Sequence, residues 1–247
     1  MRVAVLSDIH GNLPALEAVL ADVDRNGVDR IVLTGDIAAG PLPGETLDRL
    51  VAIGDRAVWV RGNADRAMVE AFDSTPTPDA VPEDVAAGQI LSKAQRDLLA
   101  GLPLTVTIEV DRLGSVLFCH ATPRRDDEVV LVDSPPSRFE AVLAGVAADA
   151  VVLGHTHMPF ARLVARRWVI NPGSVGMPYG HDGAAWALLG PTIELRQTAY
   201  AATAAAERLR RSALPNAAAW VEEYVLHRYS DIEALTAFTP RAQETLS

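Results

Sequence analysis

A chain of 247 residues with 22 Lys+Arg against 32 Asp+Glu carries a formal net charge of −10, is 49 % apolar and contains one cysteine. The length allows one large domain or two small ones, and so high an apolar fraction excludes a disordered chain. The single Cys excludes a disulfide framework and a CxxC zinc site, and the acidic balance argues against a broad nucleic-acid surface, because phosphate backbones are bound through Lys and Arg.

The first residues, MRVAVLSDIHGN, reach an Asp and a His before any signal-peptide stretch develops, and no run approaches the roughly 20 apolar residues of a membrane-crossing helix. The expectation is a soluble cytoplasmic protein.

Short apolar runs alternate with helix-period stretches, the pattern of an α/β protein. Residues 2–7 (RVAVLS) read as a buried strand. Asn12 is placed to cap the next helix, Pro14 suits its first turn, and Leu13, Leu16, Leu20 and Val23 form one apolar face. Residues 30–34 (RIVLT) and 57–61 (AVWVR) are the next strands. The stretch 73–90, rich in Pro, Asp and Ala, reads as a surface excursion with a short helix. Ser92 with Gln95 forms a capping box for a helix through Leu98 and Leu99 that stops near Gly101 and Pro103.

Beyond this point the pattern changes. Residues 105–110 (TVTIEV) and 115–120 (SVLFCH) flank a DRLG turn as a β-hairpin. Ser137 and Glu140 form a second capping box, 150–155 (AVVLGH) reads as a buried strand, and 160–165 with 168–171 as another hairpin. Further strands fall near 185–189 and 192–198. Residues 201–247 read as a helical C-terminal extension packed on the domain formed by 1–200, interrupted at Pro215, with Trp220, Tyr224 and Val225 as its packing face.

Ligand-capable residues stand directly behind the apolar runs. VAVLS is followed by Asp8 and His10, IVLT by Gly35-Asp36, and VWVR by Gly62-Asn63; SVLFC ends at His120, and AVVL runs into Gly154-His155-Thr156-His157. Functional groups of open α/β sheets collect at the carboxyl ends of the strands, so five strand ends deliver two Asp, one Asn and four His to one edge. Each piece alone is an ordinary turn or a structural histidine; all five, in this order and each behind a strand, are hard to assign to turns.

This set resembles the signature of the calcineurin-like metallophosphoesterase superfamily, over residues 1 to about 200. SDIHGNLPALEAVL at the start and NPGSVG (171–176) look most like its small bacterial phosphodiesterase branch. The resemblance implies an α/β fold of two stacked mixed β-sheets flanked by helices. It also implies that Asp8, His10, Asp36 and His157 hold one divalent metal ion and Asp36, Asn63, His120 and His155 a second, with the Asp36 carboxylate bridging. Asp36, Asn63 and His120 are the implied catalytic core. Asp suits the bridge because it is anionic and bidentate. Two divalent ions with the Asp8 and Asp36 carboxylates leave a site charge of about +2, or about +1 with a hydroxide, which suits a phosphate-ester anion. A metal-bridging hydroxide would attack phosphorus in line. The N/O donor set without thiolate suits Mn²⁺, Fe, Ni²⁺, Co²⁺ or Zn²⁺, and the resemblance puts Mn²⁺ first.

One position departs from the family pattern. Many members carry a His directly after the Gly-Asn, where it protonates the leaving group; this chain has Ala64, followed by Asp65 without that partner. Either another group acts as the acid or none does, and the absence of one favours low-pKa leaving groups. The expected substrate is a small phosphate ester, with diesters ahead of monoesters, and neither a nucleic-acid polymer nor a membrane is an expected partner. Segments 73–90, 122–136 and 175–183 would shape specificity. A non-catalytic scaffold is the alternative class, since the fold also serves in a retromer subunit. Metal ligands lost or replaced would mark it, and all seven positions are filled by competent residues.

Other residues read differently. Cys119 reads as a buried small hydrophobe, His181 and His227 as loop or surface residues, and Arg124 with Arg125 as either a phosphate contact or a solvated pair. Asn171 and Ser174 read as residues that shape the loop under the site, and Asn12 as a helix cap, with a hydrogen bond near the site as its alternative.

Overall fold

Strand and helix alternate through the first hundred residues because fully apolar four- and five-residue runs, able to be buried on both faces, are separated by segments with one apolar face. The structure, a computed structural model, describes residues 1–75, 77, 81–180, 182–227 and 229–244. The first half comprises β1 (Val3–Leu6), α1 (Leu13–Arg25), β2 (Arg30–Thr34), α2 (Pro43–Val51), β3 (Ala57–Val60), α3 (Asn63–Phe72), α4 (Pro82–Gln89) and α5 (Lys93–Ala100). Asn12 caps α1 by accepting from Ala15 N at 3.3 Å. Ser92 and Gln95 form the expected box, each side chain accepting from the other's backbone N–H. Helices α2 and α3, absent from the expectations above, bury Leu47 and Leu50, and Ala64, Met68 and Ala71, at helical spacing.

The second half comprises β4 (Thr105–Val110), β5 (Gly114–Cys119), α6 (Pro136–Val142), β6 (Ala150–Val152), β7 (Phe160–Val164), β8 (Arg167–Asn171), β9 (Ala184–Leu189) and β10 (Ile193–Thr198). It closes with α7 (Ala202–Leu209), α8 (Ala217–Val221), a π-helical turn over Glu222–Leu226 and α9 (Asp231–Glu244). Two local expectations fail. Ser137 does not cap α6: Pro136 starts the helix after Pro135 and leaves Ser137 inside it, because a proline with fixed φ is preorganised for the first helical position. The strand expected over 150–155 stops at Val152, since His155 turns into the left-handed region at φ 66°.

Two mixed five-stranded sheets result, in the orders β10-β9-β1-β2-β3 and β4-β5-β6-β8-β7. In the first, β1, β2 and β3 are parallel; in the second, β5, β6 and β8 are parallel and antiparallel β4 and β7 form the edges. Val3, Val5, Val32 and Val60 of the first sheet share a core with Val116, Phe118, Val152 and Ile170 of the second. Helices cover both outer faces: Leu16, Leu20 and Leu47 pack with Leu6, Ile31 and Leu33, and Phe139 and Val142 of α6 pack with Val151 and Val169. A small separate cluster of Val129, Leu131, Met158, Ala234 and Phe238 fixes α9 onto the loops beyond β5 and β6. No described helix is long and apolar enough to cross a membrane.

Candidate metal centre

The parallel strands end at one edge of the sandwich, and the chain turns sharply there. Asp8 (φ 54°), His10 (48°), Asp36 (50°), His155 (66°) and His157 (58°) all occupy the left-handed region; they are half of the ten non-glycine residues that do so among the described residues. Asp and His tolerate this conformation better than most L residues, at a cost of about 1–3 kcal/mol each. Backbone bonds fix the turns to one another: Asp8 N donates to Gly35 O at 3.1 Å, His10 N to Asp36 O at 3.0 Å and Gly176 N to Asp8 O at 3.0 Å. Space is as restricted as torsion. A Cβ on Gly62 would overlap Asp36 Oδ1 and its backbone N, and one on Gly154 would overlap Ser7 Oγ.

The seven residues singled out in the sequence come together as two adjoining groups. Donor atoms of Asp8, His10 and His157 lie within 4.8 Å of one another, as do those of Asp36, His120 and His155; all six residues are buried. Asn63 adjoins the second group, with Oδ1 3.1 Å from His120 Nε2. Each carboxylate divides its labour. Asp8 Oδ2 accepts from Ser7 Oγ (2.6 Å) and His155 N (3.1 Å), while Oδ1 makes no hydrogen bond and faces His157 Nε2 at 3.2 Å. Asp36 Oδ1 accepts from Ala64 N (2.8 Å), while Oδ2 lies 3.4 Å from His120 Nε2 and 3.8 Å from His10 Nε2, between the groups.

The imidazoles are oriented by main-chain carbonyls, which only accept. Nδ1 of His10, His120 and His157 therefore donates to Ala39 O (3.1 Å), Thr34 O (2.7 Å) and Met177 O (3.0 Å) respectively. Their Nε2 atoms are left to face the interior of the site. Burial opposes ionisation of Asp8 and Asp36, but the surrounding histidines hold both carboxyls below the usual carboxylate range. Against its own burial, His120 is raised to about 10 by Asp36, and burial with the His120 charge lowers His155 to about 3.

Asp65 has a role that the missing dyad partner does not hint at. Its two oxygens accept from Ile37 N and Gly62 N, both at 2.9 Å, joining the turn after β2 to the start of α3. Burial and the neighbouring Asp36 raise its carboxyl to about 6. Behind Asn63, Arg66 makes a two-point contact with Asp126 (3.1 Å each), and Arg61 adds a third bond at 3.2 Å.

Above the two groups opens a cleft of about 240 Å³. Val81, Glu83 and Asp84 of the 73–90 segment line one side, and Met177 and Tyr179 of the 175–183 segment line the other. No described residue of 122–136 lines it; that segment acts through Asp126. Trp220, Tyr224, Phe238 and Arg241 complete the walls. Of these wall residues, Asp84, Tyr179, Phe238 and Arg241 carried no sequence signal. Cys119 is fully buried, and burial pushes its thiol up. Arg124 and Arg125 are engaged with Glu128 and Asp127, outside the cleft. His227 is exposed against Tyr229, and His181 lies outside the described residues. Asn171 and Ser174 bond Gly154 O and Asp8 O, bracing the loops as expected, and Asn12, besides capping α1, donates to Gly176 O.

Comparison with known proteins bears on this arrangement. The sequence model of the calcineurin-like phosphoesterase superfamily domain matches residues 1–191. An uncharacterized protein of Methanocaldococcus jannaschii is 27 % identical over 245 residues, covering 90 % of this chain and 96 % of its own. Phosphodiesterase YfcE of Escherichia coli K12 is 26 % identical over 198 residues, covering 76 % and 87 %. Among solved structures, a hypothetical protein from Pyrococcus horikoshii OT3 superposes with a TM-score of 0.77 at 21 % identity, over 92 % of this chain and 99 % of that one. A metallophosphoesterase from Sphaerobacter thermophilus gives 0.71 at 25 % identity, over 91 % and 99 %. By its fold and by the match over most of its length, the chain belongs to the calcineurin-like phosphoesterase superfamily.

Proposed function

We propose that this protein is a metal-dependent hydrolase of small phosphate esters, with diesters preferred. The observation that carries the reading is the pair of buried donor groups joined through Asp36 Oδ2. The donors themselves fit cations. His10 and His157 turn their Nε2 atoms toward each other at 3.3 Å while both Nδ1 atoms donate elsewhere, so two lone pairs meet beside the unpartnered Asp8 Oδ1. In the second group His120 Nε2 faces Asp36 Oδ2, and His155 Nε2 is buried without a partner. With its amide reversed, Asn63 would donate to His120 Nε2 (3.1 Å) and His155 Nδ1 (2.9 Å); with its oxygen inward, the three groups converge as donors to a cation. A proton on His120 and a metal ion are alternatives for the same space.

Asp8, His10, Asp36 and His157 would hold one divalent ion, and Asp36, Asn63, His120 and His155 the other. The nitrogen-and-oxygen donor set without thiolate suits Mn²⁺, Fe, Ni²⁺, Co²⁺ or Zn²⁺, and Mn²⁺ is put first by the family resemblance. Bound there, the ions supply an activated water and neutralise charge on the phosphoryl oxygens. The chain's own contribution is to fix the donors. The backbone of Gly35, Asp36 and Gly176 holds the turns, and Ser7 and Ala64 each occupy one carboxylate oxygen so that the other points inward. The diester preference is supported by the relative named a phosphodiesterase. Residues 201–247 are taken as an extension of the same domain, supported by Trp220, Val221 and Val225 packing in the α1 core, and the working location is the cytoplasm.

The test is a screen of protein reconstituted with Mn²⁺, Ni²⁺, Co²⁺, Fe²⁺ or Zn²⁺ against cyclic nucleotides, aryl diesters and aryl monoesters, with Asp36→Asn and His120→Ala as controls. Hydrolysis lost in both controls is expected. No turnover with any metal, together with no bound metal, would turn the reading to a protein-binding scaffold.

A further inference from the structure

The donor groups form only the floor of the cleft, and its two walls differ in chemistry. One is the first turn of α4, seated where Gly88 runs so close to the Met68 backbone that a Cβ has no room. That packing carries Asp84 into the cleft, 8 % exposed, and its carboxyl makes no hydrogen bond or ion pair with any described residue. A buried carboxyl without a partner is costly and needs one from whatever occupies the site. The other wall is aromatic and sits directly on the floor histidines. Phe238 lies edge-on to His155 at 6.3 Å, Tyr179 lies 5.7 Å from His157, and the two rings are 6.4 Å apart. Arg241 stands over Phe238 at 5.0 Å and is the one Lys or Arg among the described lining residues.

These features restrict the occupant. The cleft, about 240 Å³, admits a small substituent beside the phosphate and no large polymer segment. Arg241 is the one basic side chain in a described lining that also holds acidic Glu83, so a phosphate beyond the one held at the donor groups gains little from the walls. Tyr179, Tyr224 and Phe238 give this wall an aromatic lining against which a planar group can pack, and Asp84 calls for a hydrogen-bonding partner. Tyr224, Phe238 and Arg241 lie beyond residues 1–191 matched by the family's sequence model, so this part of the wall comes from the C-terminal helical segments.

We propose that the cleft binds a singly charged phosphodiester through a planar, hydrogen-bonding, nucleoside-type substituent, held between the Tyr179–Tyr224–Phe238 wall and Asp84 with Arg241 at the phosphate. The inference rests on the phosphoesterase reading and names its substrate class.

Two diesters with the same leaving group test it on the Mn²⁺-loaded protein: thymidine 5′-(p-nitrophenyl phosphate) and methyl p-nitrophenyl phosphate. The nucleoside ester is expected to have at least a roughly tenfold higher kcat/KM, about 1.4 kcal/mol, expressed mainly in KM. Asp84→Ala and Phe238→Leu are each expected to reduce that ratio at least about threefold, and Asp84→Asn to retain part of it through its amide oxygen. A ratio within about twofold of one overturns the inference and leaves the phosphoesterase reading standing. If neither ester is hydrolysed, the phosphoesterase reading fails and calorimetry with thymidine 5′-monophosphate decides the inference. Binding weakened by Asp84→Ala supports it; no binding beyond that of inorganic phosphate overturns it.

Discussion

The Nε2 atoms of His10 and His157 lie 3.3 Å apart while both Nδ1 atoms donate to main-chain carbonyls. Two Nε2 atoms at that distance, with Asp8 Oδ1 3.2 Å from His157 Nε2, need a proton or a metal ion between them. His157→Ala is therefore expected to lower metal content per chain and to cut activity more than about 100-fold, beyond the usual effect of losing an outer partner. The metal-free variant should unfold no more easily than metal-free wild type. Elemental analysis and denaturant titration check both halves; full metal content in the variant rejects the assignment.

Gly62 and Gly27 separate a steric demand from a torsional one. A Cβ on Gly62 would displace Asp36, whereas Gly27, at φ +59°, has nothing within 4 Å of that position. Gly62→Ala should lose metal and at least about 100-fold in kcat/KM. Gly27→Ala should lose only about 1 kcal/mol of stability and keep both metals. Equal behaviour of the two variants would contradict the close approach.

Burial, then the charges of Asp36, Asp65 and Glu83, push the Asp84 carboxyl up to about 8 from an ordinary value of 3.8. Between these values the folded chain holds a proton that the unfolded chain has released, so stability falls as pH rises through the window. The slope from this one group is at most about 1.4 kcal/mol per pH unit. Metal-free Asp84→Asn should accordingly gain stability over wild type at pH 8 and show no gain at pH 3.5. Denaturant midpoints at the two pH values decide; a gain independent of pH would mean that packing, and not ionisation, is responsible.

Ala64 leaves no imidazole at the position directly after Asn63, and both Asp65 oxygens are engaged by backbone N–H groups. Among aryl diesters the rate should fall steeply as leaving-group pKa rises. Ala64→His should flatten that dependence only in part, because no carboxylate is free to orient the new ring. A flat wild-type dependence with chemistry limiting the rate sinks this prediction. A shallow one that steepens in Asp84→Asn would instead identify the Asp84 carboxyl as the proton donor.

The floor of the site was legible because its residues are local to strand ends. Asp8, Asp36, His120 and His155 stand within three residues of apolar runs that can only be buried strands, and parallel pairing of β1–β3 and of β5, β6 and β8 brings those ends to one edge. The walls were not legible. Asp84 reads in sequence as a routine first-turn acid, and Phe238 as one apolar position of a terminal helix; each reaches the cleft through long-range docking, at Gly88 on Met68 and at Met158 with Val129. Asp65 was open to a dyad reading because its backbone partner, Ile37 N, lies 28 residues away in sequence.

Five donor-bearing residues hold left-handed backbone, where glycine at each would relieve about 1–2 kcal/mol of torsional cost. At these positions fold stability and ligand chemistry pull in opposite directions. Libraries sorted for thermal tolerance alone, with metal withheld, would enrich glycine or asparagine at 8, 10, 36, 155 and 157, dismantling the centre while improving the scaffold. Only selection that includes metal or turnover would keep aspartate and histidine there.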